Sequence, residues 1–479
     1  MTDNHTPPPA SLGGHALALV LLVAITLCGC ATTRTEAEDA GELLGLTPAV
    51  DNSYIRHEQW WQILGDNSLN TLMQAGLAAN ADLAKAGISV NRALYEANRL
   101  GADLLPAFSA QGRSSATHYN EASRPTMRTT SADFSVNFEV DLWLKMVKKA
   151  SAAQWEYQAT VEDREAVRLT LTANIADAYF ELLYLEKSID AAKQNIENYK
   201  KIRAIMAARF QHGKGLQEDA DQAAIALVQA EKDLTDLLGQ QKETRTLMAN
   251  LLQRRPDAQQ FGLAPGFPRA DQSRVNLEVP FAVLANRPDI RAAQYRLQSA
   301  FKNIQAAERA WFPTISLSAA LSYAAETASS LFSAPSTTRA VAVSLPFLQW
   351  NTIYWNVKMS EADYDTRRID YESALTTALN EVDAALYQYR LAHTSLGYAR
   401  TVFQGKKKIA DLYRAQYENG KREARDWLQT VNESTSAQRS LFQAEYLALH
   451  QEVLVYKVLA GRYEAKKVIL PTGTSIPAP

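Results

Sequence analysis

The chain has 479 residues, of which Gly (20) and Pro (17) supply only about 8%, against roughly 12% in average usage. That deficit excludes a loop-rich, collagen-like or disordered chain and points to long uninterrupted elements. Lys and Arg number 50 against 52 Asp and Glu, a net charge of −2. No basic field exists to hold nucleic acid, so nucleic acid is not expected as a partner. Hydrophobic residues at 47% are enough for a large core.

The first predicted element is a leader. Residues 16–27 form an apolar run too short to span a bilayer but long enough for the core of a signal peptide. It ends in Leu27-Cys28-Gly29-Cys30-Ala31, which resembles a bacterial lipobox. The resemblance implies a signal peptide over 1–29, cleavage before Cys30, and a covalent lipid on Cys30 as the chain's only attached group. The alternative is an ordinary signal peptide with incidental cysteines. Residues 1–15 carry no Lys or Arg, only His5 and His15, which departs from the usual basic start. The mature chain then has no disulfide and is held to a membrane by acyl chains. Ala31 resembles lipoproteins forwarded to the outer membrane, because Asp at that place is the retention signal. An extended segment is expected over 30–60.

The chain then repeats itself. Leu77, Ala78, Asp82, Ala86 and Pro106 recur as Leu284, Ala285, Asp289, Ala293 and Pro313, each pair 207 apart. The same offset links Trp143 to Trp350, Gly213 to Gly420, Lys214 to Lys421, Asp219 to Asp426, Leu234 to Leu441 and Leu252 to Leu459. Two copies of one unit, 61–252 and 287–462, are joined by a linker over 253–286 that holds Pro256, Pro265, Pro268 and Pro280. A C-terminal tail fills 463–479.

In the first copy, residues 77–105 predict a helix and 107–119 a weak strand. Over 132–143, Phe134, Val136, Phe138, Val140 and Leu142 alternate with Asp133, Ser135, Asn137, Glu139 and Asp141, the period of a strand. Proline is absent from 126 to 255 and glycine from 113 to 212. There Leu169, Ala173, Ala176, Phe180 and Leu183, then after a slip Ile189, Ala192, Ile196, Tyr199, Arg203, Met206 and Phe210, step by fours and threes. That is a coiled-coil-like seam on a helix over 144–211, about 100 Å long. Gly213 ends it, and a second helix follows over 216–252. The short helices laid end to end match the long one, as in a wall where one helix packs beside a stacked pair.

The second copy repeats the plan, with strands over 313–325 and 338–348 and a seam at Leu375, Leu379, Val382, Leu386 and Tyr389. Polar turns over 120–131 and 326–338 join the strand pairs. The strand pattern alone fits a soluble hairpin with one wet face or transmembrane β-structure. Four strands cannot close a membrane barrel, and open edges are forbidden in lipid. If the strands lie in lipid, three copies and twelve strands are the smallest assembly that leaves a channel.

Several motifs carry a family resemblance over about 55–462. They are Trp60-Trp61-x-x-Leu64-x-Asp66-x-x-Leu69-x-x-Leu72, Leu284-x-x-Arg287-Pro288-Asp289-Ile290, Phe312-Pro313-x-Ile315-x-Leu317, and Phe138-x-x-Asp141-Leu142-Trp143 with Leu345-Pro346. Phe210-x-x-Gly213 with Gln222-Ala223, and Tyr417-x-x-Gly420 with Asp426-Trp427-Leu428, complete the set. Together they resemble the outer-membrane factor family, the TolC/OprM-like lipoprotein exit ducts of tripartite efflux pumps. The resemblance implies a mostly α fold of two tandem repeats, trimerised into a twelve-stranded outer-membrane barrel continuous with a periplasmic α-barrel. It implies passive conduction of small molecules, opened at the periplasmic tip by an adaptor protein and driven by an inner-membrane RND transporter. The family usually has Gly just after the strand end in both repeats, where Leu144 and Asn351 stand here. Asn tolerates a left-handed backbone and Leu does not, so the first junction is expected to differ.

Candidate gate and docking residues cluster at the two hairpin tips. They are Arg209, His212, Gly213, Lys214, Glu218, Asp219 and Asp221 in the first, and Arg414, Tyr417, Glu418, Gly420, Arg422, Arg425 and Asp426 in the second. Opposite charges at a constriction can hold helices closed and rearrange cheaply while hydrated. Asp219 and Asp426 lead the set because they recur at the repeat offset. The other reading of each residue is a solvated helix end. Trp60 and Trp61 are expected to pack against the helical wall. The seven histidines show no metal-ligand spacing, and no HExxH, GxSxG or phosphate-loop pattern appears, so no enzyme and no metal site are expected. A protein-secretion duct and a non-channel structural lipoprotein are the competing readings.

Overall fold

The computed structural model describes residues 54–118, 120, 126–255, 261–268, 275–276, 281–326, 328–465, 467–469 and 475–477. The signal peptide, Cys30, and parts of the linker and of the tail lie outside the described residues. The chain divides into two compact units, and each takes residues from both repeats.

The first unit holds residues 94–156 and 297–367. Its centre is one antiparallel sheet in the order β2 (Ala107–Thr117), β3 (Met127–Val140), β4 (Thr314–Ala325), β5 (Pro335–Ser344). β3 starts five residues before the expected 132, because Thr129, Thr130 and Ser131 pair with Ser115, Ser114 and Arg113. β5 stops short of the expected 348, because Pro346 opens a 3-10 turn over Pro346–Gln349.

Register lines the apolar residues up. Val140, Phe138, Val136 and Phe134 face Ile315, Leu317, Ala319 and Leu321 directly. The other face is small or polar: Ser135 pairs with Ala320, Asn137 with Ser318 and Glu139 with Ser316. Large apolar side chains on the first face, among them Phe108, Phe134 and Leu317, are exposed. An aligned apolar face without protein cover is what a lipid-facing sheet presents. On the edge strands the apolar stretch is shorter, with Ser114 and Ala116 on β2 and Thr337 and Arg339 on β5 occupying that face towards the turns.

The second unit, residues 40–93, 157–296 and 368–479, is helical. α1 (Asn67–Ala79) and α2 (Ala81–Ala102) replace the single helix expected over 77–105. Asn80 makes the break: its Oδ1 accepts from Asp82 N and Leu83 N at 3.0 and 3.1 Å, starting a new helix. α3 (Lys145–Gln211) and α4 (Gln217–Leu251) form the first hairpin. α5 (Pro288–Glu308) opens the second repeat, and α6 (Trp350–Glu418) and α7 (Ala424–Val458) form its hairpin. A short sheet pairs β1 (Tyr54–His57) with β6 (Arg462–Ala465).

The seam on α3 runs through Leu185, Ile189, Ala192 and Ile196, then Ile202 and Met206, packed on Leu237, Leu227, Ala230 and Ala223. It departs from the expected Arg203 and Phe210, which are exposed, because a straight helix drifts off a strict heptad. The expected slip near 183–189 also has a cause. From Ala173 to Leu185, Ile175, Ala176, Ala178, Tyr179, Phe180, Leu182 and Leu183 are buried, so no single stripe exists there. On α6 the buried line is Tyr371, Leu375, Ala378, Val382, Ala385 and Tyr389, with Leu379 and Leu386 half-buried beside it. The alanines permit close helix approach and take the centre of the contact.

Trp60 is 1% exposed and its ring lies 5.2 Å from that of Tyr456. Asp66 caps α1 through Ser68 N and Leu69 N and accepts the Tyr179 hydroxyl at 2.6 Å. The tryptophan pair and Asp66 therefore fasten the N-terminal segment to α3 and α7. Packing is their role, as expected.

Candidate functional site: the paired hairpin tips

Both tips are built by the same backbone device. Lys214 N donates to Arg209 O at 2.8 Å and Gly213 N to Phe210 O at 3.0 Å. In the second tip Lys421 N donates to Gln416 O and Gly420 N to Tyr417 O, both at 2.9 Å. These are Schellman motifs, and Gly213 (φ +60°) and Gly420 (φ +70°) occupy the left-handed position where a side chain is strained.

Between the tips lies a cleft of about 1180 Å³ bordered by Arg209, Lys214, Asp219, Arg422, Glu423, Arg425 and Asp426. Arg209 Nη1 pairs with Glu423 across it, joining α3 to the start of α7. Arg425 sits between the two repeat-related aspartates, 3.6 Å from Asp219 and 3.6 Å from Asp426. The hydrogen bond to Glu423, and then its charge, raise the Arg209 guanidinium above its ordinary value and lower the Glu423 carboxyl. All these groups are partly exposed, so each pair is weak and easily exchanged. Beneath them Leu428 packs on Ile202, Met206 and Ala223. Tyr417 stacks on Trp427 at 5.1 Å.

Far from the tips, a second device joins helix ends in both repeats. Asn80 Nδ2 donates to Leu251 O at 3.0 Å, and Arg287 Nη1 to Val458 O at 3.0 Å. These residues are repeat equivalents, 80 with 287 and 251 with 458. Each ties the end of a hairpin helix to the start of a shorter one. Arg287 also holds Asp289 (3.0 and 2.7 Å) and Glu381 (2.7 Å). Burial opposes its charge, and the two carboxylates more than restore it.

The profile of the family described as "Outer membrane efflux protein" matches residues 72–253 and again 279–461. This chain belongs to that family. The two matches fall on the two repeats. Toxin and drug export protein A of Aggregatibacter actinomycetemcomitans is 36% identical over 451 residues, covering 94% of this chain and 99% of that protein. Among solved structures, the outer-membrane channel OprN gives a TM-score of 0.75 at 23% identity, covering 90% of this chain and 97% of that one. The Campylobacter jejuni outer-membrane channel CmeC gives 0.74 at 22% identity, covering 85% and 88%. The family and fold are those of channels, and this outer membrane efflux protein sits in the outer membrane of a Gram-negative cell with a periplasmic extension.

In this efflux protein the expected tip residues divide into two groups. Arg209, Gly213, Lys214, Asp219, Gly420, Arg422, Arg425 and Asp426 line the cleft. Asp221 instead accepts from Gln217, and Arg414 pairs with Glu418, each on its own helix. Glu218 and His212 are exposed and line no part of the cleft. The motif residues Arg287 and Asp289 serve the helix junction, with Pro288 at the first position of α5. Phe312 stacks on Trp143 at 4.9 Å, and Pro313 O accepts from Trp143 Nε1 at 2.8 Å.

Glu423 was not among the residues expected from sequence. Its repeat equivalent is Leu216, so a search for residues shared between repeats passes over it. The signal that finds it is its place: an acidic residue directly before a helix, opposite a C-terminal arginine.

At the junctions after the strands the expectation is overturned. Leu144 takes the left-handed backbone (φ +61°) while Asn351 lies inside α6. Asp141 Oδ2 accepts from Val147 N at 2.8 Å and holds the first turn of α3. Pro346 sends the second junction into a 3-10 turn instead.

Proposed function

We propose that three copies of this chain close a twelve-stranded barrel and form the exit duct of a tripartite efflux pump. The duct conducts small molecules passively from periplasm to exterior. It pairs with a periplasmic adaptor and an inner-membrane RND transporter, and a lipid on Cys30 adds an anchor after the leader is removed. The hairpin tips are the end that is closed at rest, and docking of the adaptor exchanges the pairs Arg209–Glu423 and Arg425–Asp219 for contacts of its own.

One observation carries this reading: two repeat-related tips meet over a charged cleft held by partly hydrated ion pairs. Pairs of that kind keep helix ends together while costing little to break. Single-channel recording in planar bilayers tests it, using trimers purified in detergent. The variant Arg209→Ala/Arg425→Ala is expected to show a several-fold higher open probability than the unaltered protein. If both remain equally silent, the tips are not the gate.

A further inference from the structure

The two faces of the main sheet carry charge differently. On the small, polar face the strands bear Arg113, Asp133 and Glu139, so both signs are present, and Lys145 Nζ pairs with Glu139 at 3.1 Å. On the apolar, lipid-facing side the alternation of the strands leaves two charged residues among those described, and both are arginines. Arg128 stands opposite Ala116 and Arg339 opposite Ala319. No described carboxylate shares that face. Both arginines are exposed, and neither forms an ion pair with a described residue.

Both also stand towards the external end of the sheet. Val140 and Ser344 lead on into α3 and α6, so the opposite, turn-bearing end faces the exterior. Arg128 is the second residue of the 14-residue β3, and Arg339 lies in the half of the 10-residue β5 that starts from its turn. Tyr323, on the same face, packs edge-on against Phe332 at 5.1 Å, as aromatic residues do where a barrel meets the headgroups. A cation on a lipid-facing strand is most costly at mid-bilayer and least near the headgroups. A long arginine side chain can carry its charge outward along the strand, and the small alanine opposite each one leaves it room.

The arginines border the open edges of the sheet as well. Arg339 lies on the edge strand β5, and Arg128 is one strand in from the edge strand β2. There the apolar face is interrupted: Thr337 on β5 continues the row of Phe134 and Leu321, and Ser114 on β2 stands opposite Thr130.

We propose that Arg128 and Arg339 bind the phosphate groups of lipopolysaccharide, the phosphorylated glycolipid of the outer leaflet, at the seam between neighbouring copies. This rests on the trimeric reading above, in which β5 of one copy lies next to β2 of the following one and each copy supplies one of the two arginines. A guanidinium offers paired donors that match phosphate oxygens. Positive charge without a neighbouring carboxylate fits an anionic headgroup, and the acyl chains of the same lipid cover Phe134, Leu321 and Val341 below it.

The full chain purified in detergent tests this, with diphosphorylated lipid A as the probe and native mass spectrometry as the readout. The unaltered trimer is expected to bind lipid A about ten-fold more tightly than Arg128→Leu/Arg339→Leu. Leucine suits a lipid-facing strand, so without lipid A the double variant should dissociate at the same temperature as the unaltered trimer or a higher one. Added lipid A should raise that temperature for the unaltered protein alone. Equal binding by both proteins overturns the proposal, and so does equal binding of lipid A stripped of its phosphates. Phosphatidylglycerol bound as tightly as lipid A overturns the choice of the outer-leaflet lipid. Arg113→Ser, on the opposite face, is expected to leave binding unchanged, and a loss as large as the double variant's overturns the assignment to the lipid-facing side. Light scattering separates this site from the reading beneath it. Trimers without a preference for lipid A overturn the site alone, whereas monomers overturn the trimeric reading and the seam with it.

Discussion

The two repeats keep one backbone plan and fill it with different chemistry. At equivalent places a neutral Asn80 and a charged Arg287 make the same bond to a helix end. At the tips, Leu216 stands where Glu423 pairs with Arg209. At the strand ends, a left-handed Leu144 corresponds to a helical Asn351. Duplication preserves geometry because register, helix length and chain reversal depend on backbone hydrogen bonds, which many side chains satisfy. It leaves charge free to diverge, since the two repeats face different neighbours.

The helix junctions offer the largest test of this comparison. Arg287→Ala leaves Asp289 and Glu381 without their shared cation and strips the Val458 carbonyl of its donor. Its expected cost is about 3 kcal/mol, against about 1 kcal/mol for Asn80→Ala, which loses a cap. Thermal melts in detergent read the difference, and equal losses would break the comparison. At the tips, Glu423→Leu copies the first repeat into the second. Its open probability in planar bilayers should rise as far as that of Arg209→Ala, and the double variant should go no further, because one pair is removed in each case.

A pH response is expected from a contact between the repeats that has no counterpart at the equivalent positions. His450 bonds Asp177, while the equivalent positions hold Glu243 and Ala384. The hydrogen bond to Asp177 raises the His450 imidazole, burial opposes it, and the charge of Asp177 adds to the rise. A raised histidine stabilises the fold fully below its unfolded value of about 6.5 and loses that contribution as pH climbs through the folded value. Melting temperature should therefore fall as pH rises from about 6 towards 8, and His450→Gln should flatten that slope. Glu423 acts in the opposite sense. Its carboxyl, lowered by the hydrogen bond to Arg209 and then by its charge, stays ionised throughout that interval, so gating should not change over it. The smallest effect belongs to the strand ends. Leu144→Gly should stabilise by about 1 kcal/mol through relief of a left-handed side chain, whereas Asn351→Gly should destabilise by about 0.5 kcal/mol inside a helix.

Much of this was legible in the sequence for physical reasons. Period-two alternation over 134–142 places side chains on opposite faces of a strand whatever surrounds it, so β3 and its apolar face were readable. Absence of Pro and Gly left nothing to interrupt α3, and Gly213 and Gly420 marked reversals because a left-handed turn excludes most side chains. The charged residues of the tips were readable as a group. Their partners were not. Arg425 reaches Asp219 across 206 positions of chain, and nothing local distinguishes it from Arg414, which stays on its own helix. Asn80 reads as one more residue in a helix until its side chain is seen to meet Leu251 O.

The near-neutral, glycine-poor and proline-poor sequence by itself determined the long hairpin helices, the four strands of the main sheet, the 207-residue duplication and the two hairpin reversals. These follow from local sterics and hydrophobic period, which act over a few residues. Only the tertiary structure decided which charges meet, which of Leu144 and Asn351 bears the left-handed backbone, and which charges the lipid-facing side of the sheet carries. Those outcomes depend on contacts between segments distant in sequence, where small differences in packing and hydration select one arrangement among several that the local rules allow.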